Sequence, residues 1–283
     1  VVIIAAAFIL IVQLSSNTVE FSRYNNGWNG TSSFFSDLDR HRTTDISDPG
    51  TLATQPDNTT LLIIAPYRDP TAKELAAYGE FLKKGNTIFL ADDFGTGDEI
   101  LTGIGSTISI LPGNLASLDE QYPDPYTIVA YPSSEESPIS LPEDLVLNRA
   151  APLEGGAPLM FTSVMSWNDI NGDRRLNLGE EMGTFPVMAT ESIGSGQLIV
   201  LSDPSIFINS MYSPEENANN RNFIQNLTTR GGPVLIDQMN SRTAEAGGFS
   251  EIFHLTKTTV IVEIFIICLL MLGTAWAWKR KMM

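Results

Sequence analysis

From Thr258 to Trp278 the chain reads TTVIVEIFIICLLMLGTAWAW, a run without proline whose one charge is Glu263. About 20 apolar residues at ~1.5 Å of helical rise each match the ~30 Å hydrocarbon core of a bilayer, so the run predicts a transmembrane helix. Trp276 and Trp278 fall where an interfacial aromatic belt lies, and Lys279, Arg280 and Lys281 follow at once. The positive-inside rule then places the C-terminus in the cytoplasm and the preceding domain outside. At the other end Val1 to Leu14 is apolar apart from Gln13, but it is too short to cross alone and reads as an incomplete membrane anchor. The expected organisation is an N-terminal transmembrane helix over 1–14, an extracytoplasmic domain over 15–253, and a C-terminal transmembrane helix with a basic tail over 254–283. This describes a two-pass protein of the cell membrane, with the lipid bilayer as its first partner.

That topology narrows the chemistry open to the middle of the chain. The net charge is −16, a sign that repels polyanions and argues against nucleic acid as a partner; a solubilising surface is its more ordinary reading, a field that gathers cations the alternative. The one cysteine, Cys268, lies in the C-terminal apolar run, so the outer domain has neither a disulfide framework nor a cysteine metal site. Its stability must come from a hydrophobic core, for which about 240 residues are ample. N-x-[ST] sequons begin at Asn29, Asn58 and Asn226, acceptors that can be glycosylated only outside the cytoplasm.

Leu61 to Pro66 (LLIIAP) is a short apolar run ending at a breaker, and Thr71 to Leu82 then sets Leu75, Tyr78, Phe81 and Leu82 at helical spacing. Lys83-Lys84-Gly85 closes that helix, and Thr87 to Ala91 (TIFLA) returns as a buried strand. A β-α-β unit of this length implies a parallel pair joined by a right-handed crossover. The pattern recurs at Gln197 to Ser202 (QLIVLS), followed by a helix over Glu215 to Leu227 with Phe223, Ile224 and Leu227 inward. Between them, Tyr126 to Ala130, Leu145 to Leu147, Leu159 to Met165 and Phe185 to Ala189 read as shorter strands separated by Gly, Pro and Ser. A further helix is expected through Phe34, Phe35 and Leu38, capped by Thr31 or Ser32. The expected fold class is α/β, a Rossmann-like, mostly parallel sheet with β-rich insertions, flanked by N- and C-terminal transmembrane helices.

Several of these segments carry a resemblance: Asn26-Gly27 and Gly30-Thr31-Ser32, LLIIAP with its helix, Gly85 with TIFLADDFGTG, Gly194 to Ser205, Asn209 and Asn220-Arg221. In them the chain resembles the domain-of-unknown-function 4350 family over most of residues 20–230. The resemblance implies a class I glutamine-amidotransferase-like domain between two membrane helices. The layout is also similar to auxiliary subunits of gliding-type ABC transport systems, which implies an accessory role beside other membrane or envelope proteins. Amidotransferases of that class use a cysteine and a histidine. The outer domain has no cysteine, the only histidines are His41 and His254, and no G-x-S-x-G elbow presents a serine, so the expectation is a protein that is not an enzyme.

Two local patterns remain as candidate sites. Asp169 to Glu180 places oxygen side chains at positions 1, 3, 5, 9 and 12 of a twelve-residue window, the ligand order of an EF-type calcium loop. Asp169, Asn171, Asp173, the Arg175 carbonyl, Asn177 and bidentate Glu180 would hold calcium in a structural role, although Arg174 stands where such loops carry glycine; the alternative is a polar surface turn. Asp92, Asp93 and Asp203 each follow a strand, and ligands of open parallel sheets bind at that edge. With Thr31 and Ser32 they form a candidate crevice, the alternative being caps and loop acceptors. Phe94-Gly95-Thr96-Gly97 lacks the spacing of a dinucleotide fingerprint. The leading expectation is a non-enzymatic, membrane-anchored accessory or scaffold subunit; the runner-up is a module that binds a small solute or glycan for a transporter.

Overall fold

The computed structural model describes residues 17–38, 42–119, 121–134, 136–213, 217–229 and 231–244, together with position 273. The apolar segments 1–14 and 258–278 lie outside this range except for Gly273, as do His41 and His254. Among the described residues no helix is long and apolar enough to cross a membrane, so the fold that can be described is an α/β domain without flanking transmembrane helices.

Its centre is a nine-stranded sheet. In spatial order the strands are β1 (Thr43–Ile46), β14 (Val234–Asp237), β2 (Thr60–Ile64), β3 (Thr87–Ala91), β13 (Gly196–Leu201), β12 (Pro186–Ile193), β9 (Ala157–Thr162), β6 (Thr127–Pro132) and β7 (Leu145–Asn148). Pairings from β1 as far as β13 are parallel. Those from β13 to β7 are antiparallel. The mostly parallel sheet expected from sequence is thus corrected to a mixed one. The physical reason is the short link between β12 and β13, where Ile193 pairs with Gly196 and Gly194 adopts φ 64°. Two residues can join only antiparallel strands, and the left-handed glycine supplies the reversal.

Helices α1 (Ser32–Asp37), α2 (Ala72–Lys83), α3 (Gly97–Ile104) and α4 (Ala218–Thr229) cover the parallel half. One face buries Leu62, Phe89, Ile199 and Leu201 with Phe34 of α1 and Phe223 and Ile224 of α4. The other buries Leu61, Ile88, Leu90 and Val200 with Tyr78 and Phe81 of α2 and Ile100 of α3. Strands covered on both faces need apolar residues at consecutive positions, which is why LLII and TIFLA read as uninterrupted runs. Helix α2 starts at a capping box: Glu74 N–H donates to Thr71 Oγ1 at 3.3 Å and Thr71 N–H to Glu74 Oε2 at 2.7 Å. The β7 edge is closed by Asn220 of α4, whose amide accepts from Val146 N–H (2.9 Å) and donates to its carbonyl (2.8 Å) as a neighbouring strand would.

Two smaller sheets extend the antiparallel half. β4 (Ser109–Ile110) pairs with β8 (Leu153–Glu154). β10 (Ser166–Asp169) lies between β5 (Asn114–Ser117) and β11 (Met182–Gly183), with Trp167 buried against Ala116 and Tyr126.

Candidate functional site

The C-terminal ends of β2, β3 and β13 open into a cavity of about 230 Å³. Ala65 and Pro66 leave β2 into it, Asp92 and Asp93 leave β3, and the rim is completed by Asn148 and Arg149 after β7, Arg242, and the early segment Glu20-Phe21. Three of the five non-glycine residues at positive φ among the described residues line this one cavity: Phe21 (60°), Ala65 (47°) and Arg149 (62°). A left-handed backbone costs an L-residue roughly 1–2 kcal/mol, so each must be held by its surroundings. Ala65 donates to Ala91 O at 2.9 Å and its carbonyl accepts from Arg242 N–H at 3.0 Å. Phe21 O accepts from the Thr31 hydroxyl at 2.7 Å, and Arg149 N–H donates to Tyr126 O at 2.9 Å.

Three carboxyl groups converge here with unusual acidity. Asp92 is buried and accepts from the amides of Gly95 (3.1 Å) and Gly97 (2.7 Å); burial outweighs those donors and pushes its pKa up to about 6. Asp203 lies behind the cavity, wholly buried, with Ser205 N–H and Asn148 N–H each at 2.6 Å, and burial raises it too to about 6. Asp93 keeps partial contact with solvent, yet protein surrounds its carboxyl group; desolvation, then the charges of Asp203 and Asp92, push it up to about 8. Opposite charge reaches Asp92 from Arg242, 3.4 Å from Glu20, while the Arg149 guanidinium lies 5.6 Å from the centre of the Tyr126 ring.

The crevice expected from sequence is therefore divided. Asp92 and Asp93 line the cavity and Asp203 supports it, but Thr31 is buried beneath Phe21, where its hydroxyl is committed to the Phe21 carbonyl rather than to capping α1. Ser32 faces a second crevice of about 460 Å³ with Asp37, Asn209, Tyr212 and Arg221. Asn209 ties this region together, donating to Asn25 O (3.1 Å) and Gly27 O (2.6 Å) and accepting from Ser33 N–H (2.9 Å). Sequence reasoning missed Phe21, Ala65, Arg149 and Arg242. Nothing in an alanine before a proline signals φ 47°, and the arginines reach the strand ends only through pairings made far along the chain.

The 169–180 window folds into successive Asx turns. Asp169 accepts from Gly172 N–H (2.8 Å) and Arg174 N–H (2.7 Å), Asn171 from Asp173 N–H (2.9 Å), and Asp173 from Arg175 N–H (2.9 Å). Arg174 adopts φ 64°, taking the left-handed turn that glycine makes in EF-type loops. Asn177 Nδ2 donates to both Asp173 oxygens (3.0 and 2.9 Å) and the Arg175 carbonyl (3.1 Å), and Glu180 accepts from Asn177 N–H (2.9 Å). An amide nitrogen thus stands among three of the oxygens that a cation would use. Asp169 also accepts from the Tyr126 hydroxyl at 2.6 Å; burial opposes its ionisation, but this donor and the loop amides prevail and hold its pKa below the usual value. Among the described residues no group of three or more His, Cys, Asp or Glu side chains is gathered as a metal site.

Of the sequon asparagines, Asn58 is exposed at φ 62°, whereas Asn29 and Asn226 are half-buried. Asn29 accepts from Asn25 Nδ2 at 2.9 Å, and Thr228, two positions after Asn226, turns its hydroxyl onto Ile224 O within α4.

Fold and site define a mixed-sheet α/β protein with a charged cavity at the ends of its parallel strands. The chain belongs to the family described as Domain of unknown function (DUF4350), whose model matches residues 23–228. A search of curated proteins found no match. Among solved structures, the chain is similar to one titled mmIFT52 N-terminal domain, at TM-score 0.46 and 17% identity over 65% of this chain and 81% of that one. It is also similar to Cytoplasmic Protein STM1381 from Salmonella typhimurium LT2, at TM-score 0.37 and 13% identity over 66% and 76% of the two chains. A third likeness is to a beta-galactosidase from Bacillus circulans sp. alkalophilus, at TM-score 0.35 and 10% identity over 53% of this chain and 21% of the enzyme.

Proposed function

We propose that this chain is a non-enzymatic accessory subunit held at the cell membrane, whose α/β domain works outside the cytoplasm by docking other membrane or envelope proteins. The observation that supports this is the distribution of exposed apolar side chains. Leu118, Tyr131, Val164, Met165, Ile170, Leu176, Leu178 and Met182 are all exposed, and all belong to the antiparallel half and its small sheet. Leu118 and Met165 are adjacent through a 3.1 Å backbone hydrogen bond, and Met182 pairs directly with Trp167. Single exposed apolar residues, such as Trp28, Tyr67 and Phe94 elsewhere in the chain, are ordinary; eight in the antiparallel half support an interaction surface there. The 169–180 window lies in that half, so calcium bound there would brace it for docking. The resemblance in layout to gliding-type ABC auxiliary subunits is in keeping with this reading, in which an amidotransferase-like domain would be kept for its shape. The apolar run ahead of Lys279 supports the membrane location.

The test is purification in mild detergent with mass spectrometry of bound proteins, on the parent chain and on a Leu118→Ser/Val164→Ser/Met165→Ser variant. Membrane partners at fixed stoichiometry, lost in the variant, are expected. A lone monomer in both samples defeats the proposal. A second reading, capture of a small solute at the strand ends, is favoured by the three left-handed residues gathered around the cavity.

A further inference from the structure

The strand-end cavity is electrically specific in a way that size alone does not require. Five residues with ionisable side chains line it: Glu20, Asp92, Asp93, Arg149 and Arg242. Glu20 and Arg242 face each other at 3.4 Å. Both oxygens of Asp92 are occupied by the Gly95 and Gly97 amides. Two groups remain. Asp93 accepts from the amide of its neighbour Phe94, at 2.6 Å, and from its own amide, and makes no ion pair among the described residues. Arg149 likewise makes no ion pair among them and only stacks over Tyr126. One carboxyl group and one guanidinium, contributed by loops from opposite halves of the sheet, thus border the same space without partners.

We infer that this cavity binds a small zwitterion bearing one carboxylate and one ammonium group, an α-amino acid in its simplest form, with Arg149 taking the carboxylate and Asp93 the ammonium. This rests on the solute-capture reading of the same cavity. The volume, about 230 Å³, lies below the ~300–1,000 Å³ of drug-sized pockets and suits a molecule of a few heavy atoms. A neutral polyol would leave the Arg149 charge unmatched. A phosphate would bring its negative charges against three carboxyl groups, and a simple cation would leave Arg149 unanswered. A guanidinium fork matches a carboxylate through two parallel hydrogen bonds, and an ammonium beside Asp93, whose pKa burial raises to about 8, would draw that carboxyl group into the ionised form that accepts from it, so a zwitterion satisfies both ends at once.

The experiment is calorimetric titration of the full chain in mild detergent with glycine, alanine, glycerol, a neutral disaccharide and inorganic phosphate, each repeated on Arg149→Gln and Asp93→Asn. Glycine and alanine are expected to bind, and each substitution is expected to weaken them about 10–100-fold, the worth of a hydrogen bond to a charged group. Thermal melts of both variants confirm that they fold, and Arg149→Lys is expected to recover part of the affinity. Binding of the disaccharide or glycerol, unaffected by either substitution, overturns the zwitterion while the solute reading survives. Tighter binding of phosphate than of glycine overturns it also. Heat from none of the probes overturns both readings.

Discussion

Strands β2, β3 and β13 are buried on both faces, whereas β5, β10 and β11 carry or border apolar side chains that face solvent. The first group is sandwiched between α1 and α4 on one side and α2 and α3 on the other. In the second, the cluster of Trp167 with Ala116 and Tyr126 includes no residue of a described helix, and Leu115 of β5 alone joins the core shared with α1 and α4. The contrast teaches that the parallel half supplies the stability and the fixed strand ends, while the antiparallel half supplies surface. On the accessory role proposed above, that surface is where a partner would make contact.

The largest effect should come from the parallel half. Phe89 packs against Phe207 and Phe223 at 6.4 and 6.0 Å between ring centres, so Phe89→Ala is expected to cost about 3–5 kcal/mol, read from urea unfolding. A change below about 1 kcal/mol would mean that the two halves do not differ as described.

A pH titration of stability comes next. The pKa values of Asp92 and Asp203 rise to about 6 and that of Asp93 to about 8, all above the ~4 of an unfolded aspartate. Such acids bind more protons in the native than in the unfolded state, so their contribution is complete below about pH 4 and is lost as pH rises through 6 and then 8. Melting temperature should fall across that window, and Asp93→Asn should flatten the upper part of the slope. An unchanged slope in that variant would place the Asp93 carboxyl group in water.

Removing the α2 cap with Thr71→Ala is expected to cost about 1 kcal/mol, again by urea unfolding, because Glu74 N–H loses its acceptor. Smallest in global stability is the insertion. Leu178→Ser should stay within about 0.5 kcal/mol of the parent. Hydrogen exchange should show β10 and β11 opening sooner than β2 and β3. Added calcium is expected to slow exchange within 169–180, an effect that Glu180→Gln should abolish; identical exchange with and without the ion would make the window a surface turn.

How far these features could be read in advance differs by region for the same reason. The unit from Leu61 to Ala91 was legible because a doubly covered strand must be apolar at successive positions and a helix on its face must repeat near every third or fourth residue. The helix through Phe34 and the strands at Tyr126, Leu145, Leu159 and Phe185 were legible too, from patterns within a few neighbours. β14, with its four residues VLID, was missed, and so was α3, hidden in a glycine- and threonine-rich stretch. At the candidate cavity the strand-end aspartates were visible and the arginines were not, and Thr31 and Ser32 were wrongly joined to them because a predicted helix start does not say which way its residues face.

Sequence by itself determined the doubly buried strands, the α2 cap, the acidic balance and the Asx-rich window, since each follows from side-chain chemistry acting over a few residues. Tertiary structure alone decided that the sheet is mixed, that Thr31 belongs to the interior and Ser32 to another crevice, and that Asp93 and Arg149 border one cavity. Those outcomes depend on strand order and on pairings between residues distant in the chain, where no local periodicity carries the information.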